Sequence, residues 1–387
     1  LSSVYKLGFC LIGDPAVKMA YPEFGMKVTT VNGQSVDGNS ISFKALEKIT
    51  VEGEVLDASG QLVTDFTGIV NPTVKDSKVT VTCLKNSNKD DSPAFTFTDY
   101  PNTIFIGNDS VRNGKFSFTF TVPKDISYSN LQGKMNLYAV DTESGNEAQG
   151  NFDNFIVGGT SDTAETDTIG PEIRALYLND TTFVDGGQVN TTPYFVAELW
   201  DKSGVNITGS SVGHDMMLVI DESTVLSYNL NSYYELLLGE DGTGIVKFPI
   251  PALEPGKHTA EFWVWDILNN STVRTFTFEV VEGLKPFLFD VIATPGIARE
   301  QVTFHLMHNR PESRMRVGIM VYDLAGRQLW KHEESGTSGL FENYTVSWDL
   351  TSGGARMRPG VYIYRAAIST DNSKDATKAR KFIILGE

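Results

Sequence analysis

Lys115-Phe116-Ser117-Phe118-Thr119-Phe120-Thr121-Val122 decides the fold class. Phenylalanine occupies every second position, with serine or threonine between. A period of two places all three rings on one face of a strand, whereas a helix would scatter them around its circumference. Arg274-Thr275-Phe276-Thr277-Phe278-Glu279-Val280 repeats the pattern. A second pattern punctuates the chain: an apolar strand tip, an Asp, then a short turn ending in Gly or Asn. It reads Val55-Leu56-Asp57-Ala58-Ser59-Gly60, Leu199-Trp200-Asp201-Lys202-Ser203-Gly204, Val264-Trp265-Asp266 before Asn269-Asn270, and Val321-Tyr322-Asp323-Leu324-Ala325-Gly326. The Asp carboxylate can accept from the N–H groups of the turn, and Gly tolerates positive φ. Convincing helical periodicity is nearly absent. The expectation is an all-β chain, several Ig-like β-sandwich domains in series.

The chain has 387 residues, 41% of them hydrophobic and 21% charged, with 23 Phe and 14 Tyr. That composition is globular, and the length predicts roughly two to four domains. Residues 1–23 do not alternate cleanly and read as the tail of a preceding domain. A first β-domain is expected over 24–158, and a polar, acidic, Gly-bounded linker over 159–170. An Ig-like β-sandwich follows over 171–282, and a last β-sandwich over 283–387. The net charge of −16 disfavours nucleic acid as a partner. It is unevenly spread: from Lys285 onward 14 Lys and Arg face 11 Asp and Glu, a net of +3, against 18 and 37, a net of −19, before it. Two readings stay open: chance variation of the surface, or a last domain that faces a different partner from the remainder.

Catalytic and metal motifs are absent: no H-E-x-x-H, no paired C-x-x-C, no P-loop, no strand–GxGxxG–helix. Cys10 and Cys83 are read as thiols of different domains, not as a disulfide. His305 and His308 fall on opposite faces of one strand, which favours surface or half-buried histidines over metal ligands. His258 enters the Trp263/Trp265 strand as a structural residue, and His332 follows a hairpin and reads as exposed. His214-Asp215 is the best catalytic candidate, but neighbours on a strand point apart and neither cysteine lies in its domain. Asp162, Glu165 and Asp167 are read as a solvated linker because no D-x-D-x-D-G loop surrounds them. The reading assigns no catalytic residue, cofactor or metal ligand to the chain. No apolar run is long enough for a membrane span, Leu1 opens no signal peptide, and the chain begins mid-pattern like a piece of a longer polypeptide.

The end of the chain is the most pointed feature. Lys378-Ala379-Arg380-Lys381-Phe382-Ile383-Ile384-Leu385 is a strand entered through basic residues. Phe382 and Ile384 alternate with Ile383 and Leu385, so both faces are apolar and burial in a sandwich is expected. The charges of Lys378, Arg380 and Lys381 need water or an acidic surface, which marks them for partner contact.

Several segments resemble a known family. Phe9-Cys10-Leu11-Ile12-Gly13-Asp14-Pro15-Ala16-Val17-Lys18-Met19 is similar to the segment closing the peptidase domain of gingipain-like cysteine peptidases. Phe116–Ile126, Gly170-Pro171-Glu172-Ile173, Val212-Gly213-His214-Asp215 and Trp265-Asp266-Ile267-Leu268-Asn269-Asn270-Ser271 resemble the region that follows in members acting as type IX secretion sortases. Ala293-Thr294-Pro295-Gly296-Ile297-Ala298, Gly360-Val361-Tyr362 and Lys381-Phe382-Ile383-Ile384 resemble the proline, G-x-Y and terminal-strand motifs of that system's C-terminal domain. Ile297 stands where a second proline is usual. The resemblance implies a non-catalytic C-terminal region that positions an upstream peptidase domain carrying the catalytic Cys and His. It implies docking to an outer-membrane secretion-system protein at the surface of a Gram-negative cell, with Gly360, Tyr362, Lys378, Arg380, Lys381 and Phe382 as docking residues. Two alternatives remain open at this point: the end of a secreted gingipain-like protease with a cleavable export signal, and an Ig-like adhesin. Asp109-Ser110-Val111, Asp162-Thr163-Ala164 and Asp167-Thr168-Ile169 resemble the O-glycosylation triplets of such bacteria.

Overall fold

The computed structural model describes residues 21–85, 93–162, 167–209, 213–237, 242–370 and 373–386. Cys10, the Phe9–Met19 segment, Glu165 and the Thr163-Ala164 pair lie outside them. Among the described residues the only helix is a 3-10 turn, Asn231–Tyr233, and everything else regular is strand. The all-β expectation holds. The chain forms two compact units: residues 1–122 with 126–164, and residues 123–125 with 165–387.

In the first unit, the strand Lys115–Thr121 pairs with Lys48–Leu56 along its whole length. Phe116, Phe118 and Phe120 are buried while Ser117 and Thr119 face out, as the alternation requires. Phe105 stacks on Phe118 and Phe120 at 6.1 and 4.7 Å between ring centroids. Gly53 sits opposite Phe116, where an added Cβ would lie 2.2 Å from the ring, so only glycine admits this aromatic. The sheet closes on itself because Lys134–Asp141 pairs with both Glu147–Phe152 and Gly68–Lys75. A separate hairpin, Val79–Thr82 with Thr96–Asp99, leaves Phe95 and Phe97 exposed and stacked on each other.

The second unit contains two sheet pairs. In the first pair, Glu172–Leu178, Tyr194–Trp200, Thr243–Pro249 and Tyr234–Leu236 form one sheet. The facing sheet runs Gln188–Val189, Ser271–Val280, Gly256–Trp265, Met217–Ile220, Ser227–Asn229. Gly256–Trp265 is a central strand with Phe262 and Val264 fully buried on one face and Trp263 and Trp265 half-buried on the other. Phe195 and Phe262 meet across the sheets at 5.0 Å.

The second pair sets Leu288–Thr294, Val302–His308 and Tyr344–Trp348 against a five-stranded sheet. That sheet runs Ile297–Ala298, Ala376–Ile384, Gly360–Ser369, Met315–Tyr322, Gln328–Gly336. Ile297–Ala298, in the proline motif, pairs in parallel with Ile383–Ile384, so the two ends of this segment meet in one sheet. The Asp-led turns form as read: Asp323 Oδ1 accepts from the N–H groups of Ala325 and Arg327 at 3.0 and 2.9 Å. Asp57 does the same for Ser59 and Gln61.

Candidate functional site

The terminal strand Ala376–Ile384 lies between Gly360–Ser369 and Ile297–Ala298. Its register pairs Lys378 with Ala366, Arg380 with Tyr364 and Phe382 with Tyr362, and all three partners are buried. A period of two therefore places Lys378 and Arg380 on the same face as Phe382, the face toward the core. Both reach across to the opposing sheet. Arg380 forms a forked pair with Asp290, Nη2 lying 2.8 Å from each carboxylate oxygen and Nε 3.0 Å from one. This guanidinium holds the Asp290 carboxyl below the usual carboxylate range. Lys378 Nζ donates to the Phe289 carbonyl, and the Tyr364 hydroxyl donates to the Val291 carbonyl at 3.0 Å. Three side chains thus tie the two sheets together along one edge.

The six residues marked in the sequence separate accordingly. Phe382 is 1% exposed and sits 5.9 Å from the ring of Tyr362, whose hydroxyl donates to the Arg358 carbonyl. Lys378, half-buried, and Arg380, exposed, are both engaged within the domain. Gly360 and Lys381 are exposed. Of the terminal apolar residues, Phe382 and Ile384 are buried, Ile383 is half-buried and Leu385 is 39% exposed, so the outward face is only partly covered.

Among the described residues, the hydrogen bonds that the histidines make go to carboxylates, a hydroxyl and backbone groups, not to a thiol. Cys83 is an exposed free thiol. His214 Nδ1 lies 2.6 Å from a carboxylate, but that carboxylate is Asp125 and not the adjacent Asp215, which accepts from Asn231 instead. The His214 ring also packs against Trp265. His258 bridges Asp221 and the Glu254 carbonyl, a structural role. His332 pairs with Glu334 and stacks on Trp330. His308 accepts from the Arg310 N–H and lies 2.8 Å from the Ser338 hydroxyl; burial, then the Arg310 charge, push it down to about 4.

The solvated-linker reading of Asp167 does not hold. Asp167, Asp201 and Asp266 bring one carboxylate oxygen each within 4.8 Å of one another, the group among the described residues able to hold a hard cation. Asp201 ends the strand Tyr194–Trp200 of one sheet and Asp266 follows Gly256–Trp265 of the other, so the sandwich brings both turns to one end. Each carboxylate already accepts protein donors. Asp201 takes the Ser203 and Gly204 N–H groups, Asp266 those of Leu268 and Asn270, and Asp167 the Ile169 N–H and the Ser203 hydroxyl. The arrangement therefore reads as three turns held by their own Asp residues, at the expense of mutual repulsion. Burial pushes Asp201 up to about 6 and raises Asp266 as well. Hydrogen bonding, first from Ile169, lowers Asp167.

A carboxyl whose folded pKa is raised binds its proton more tightly folded than unfolded, so its contribution to stability falls as pH rises from about 4 to about 6. Asp201→Asn keeps the acceptor for Ser203 and Gly204 and removes the charge. It is expected to raise the melting temperature at pH 8 and to leave it nearly unchanged at pH 4, in thermal melts of variant against parent. Lower stability at pH 8 would show that the ionised cluster is favourable.

No protein family and no curated protein matches the chain. Among solved structures it is similar to PorU of Porphyromonas gingivalis, crystallised as a latent dimer, at 38% identity. That alignment covers 97% of this chain and 35% of PorU, with a TM-score of 0.43. It is also similar to a tandem-repeat segment of a large adhesion protein, at 14% identity, 94% and 74% coverage and a TM-score of 0.20. Chicken CNTN1 fibronectin domains give 7% identity, 93% and 98% coverage and 0.21. The last two carry no argument at those scores. The identity relates this chain to a region of PorU, and the chain spans about a third of that protein's length.

Proposed function

We propose that this chain is the C-terminal, non-catalytic region of a gingipain-like cysteine peptidase that acts as a type IX secretion sortase. In this reading the β-domains position the upstream peptidase, whose catalytic Cys and His precede residue 1. The last sandwich docks the protein to an outer-membrane partner on the extracellular face. The observation that carries the reading is the 38% identity to PorU extending over 97% of the chain. The change of charge at the last sandwich, from −19 to +3, supports it, because a domain facing its own partner carries its own surface.

The closest rival makes the last sandwich an export signal removed on arrival. Intact-mass measurement on the protein from the cells that make it separates the two. Retention of residues 283–387 in the mature protein is the expected result. A mature protein ending near Gly283 would replace the docking role with that of a cleaved signal.

A further inference from the structure

The outward face of the five-stranded sheet in the last sandwich carries two adjacent rows of side chains that the core does not use. Tyr322, Ile363 and Lys381 lie side by side across three strands, and Val361, Ile383 and Ile297 form the next row. Ile297 is 55% exposed, Val361 40% and Ile363 38%, a contiguous set of β-branched side chains in water. Contiguous apolar exposure of this kind marks an interaction surface, whereas single exposed residues do not.

The charges beside it are selective. On the same face Arg316 is committed to Ser369 and Asp375, and Lys331 to Glu333. Arg365 and Lys381 are exposed, and among the described residues neither has an acidic partner. Lys381 stands opposite Ile363, and Arg365 is two residues along the same strand, so the two cations are diagonal neighbours on one face.

We infer that this face is where an acidic protein segment docks, its carboxylates on Arg365 and Lys381 and its apolar side chains on the Ile297–Val361–Ile363 patch. The inference rests on the docking role proposed above and moves its charge recognition from Lys378 and Arg380 to Arg365, keeping Lys381. The guanidinium fork of Arg365 suits a carboxylate bidentately, and uncompensated charges at an interface steer and select an oppositely charged partner. An anionic lipid surface is the weaker candidate, because charge-driven attachment to lipid takes clusters of about four or more basic residues. Two are available here.

The test uses the whole protein in the cells that produce it, with retention in the outer-membrane fraction as readout. Arg365→Glu/Lys381→Glu is expected to reduce retention at least tenfold while the melting temperature of the purified protein stays within a degree or two. Ile363→Asp should act likewise, and Lys257→Glu, on the preceding sandwich, should change nothing. Unchanged retention of the double variant, in cells where cutting between the two sandwiches, before Lys285, still releases the protein, overturns this face and leaves the docking role standing. Retention that survives this cut removes the docking role itself. Binding of the purified chain to protein-free phosphatidylglycerol vesicles, abolished by the double variant, would overturn the acidic protein segment in favour of lipid.

Discussion

Phe382→Ala is expected to destabilise the last sandwich by about 3–5 kcal/mol, the range for deleting a buried aromatic ring. The ring is 1% exposed and lies 6.0 Å from Phe304, 5.8 Å from Tyr364 and 6.3 Å from Trp348, ring centroid to centroid. These four rings come from four different strands of two sheets, so the cavity cannot close by a local adjustment. Against a typical net stability of roughly 5–15 kcal/mol, such a loss leaves the domain marginal. Lys381→Ala, one residue away on the opposite face, is expected to stay within about 0.5 kcal/mol. Hydrogen exchange of the amides in Val302–His308 and Gly360–Ser369, in the full chain, reads the last sandwich separately from the other domains. A loss below about 1 kcal/mol on Phe382→Ala would mean that the terminal strand is peripheral to the core.

The second large effect concerns pH. A histidine whose folded pKa is depressed stabilises the fold in its neutral form, so its contribution is complete above the unfolded value and is lost as pH falls. For His308 the window runs from about 6.5 down to about 4, and the shift corresponds to about 3 kcal/mol at its limit. His308→Gln is expected to remove most of this slope, losing stability at pH 7.5 through its altered packing but falling less between pH 7 and pH 4.5. Asp201 contributes the opposite slope across an overlapping range. The measurement is therefore the difference between variant and parent urea midpoints at each pH, not the shape of either curve. Parallel curves for His308→Gln and parent would contradict the buried neutral imidazole.

The sequence made the strands legible wherever one face is buried and the other wet, because alternation is then enforced by water. Lys115–Thr121 and Ser271–Val280 are of this kind. It made the Asp-led turns legible too, since each is closed by donors within a few residues. What it hid depends on which strands meet. Asp201 and Asp266 look like separate hairpin turns until two sheets pack and bring them to Asp167. Arg380 is exposed as its charge requires, but only its register partner Tyr364 shows that its strand position puts the guanidinium within reach of Asp290 rather than leaving it free. A signal did exist for the outward face. In Gly360-Val361-Tyr362-Ile363-Tyr364-Arg365, once the tyrosines are assigned to the core, the same period of two exposes Val361, Ile363 and Arg365.

The role proposed for the last sandwich is to hold an upstream peptidase at the outer membrane. A specific protease site placed at Gly283, between the strands Ser271–Val280 and Leu288–Thr294, tests it on intact cells, after export is complete. Adding that protease should release everything upstream of the cut into the medium and leave residues 284–387 with the outer membrane. An upstream portion that stays on the cells after complete cleavage would place the attachment elsewhere in the protein and contradict the account.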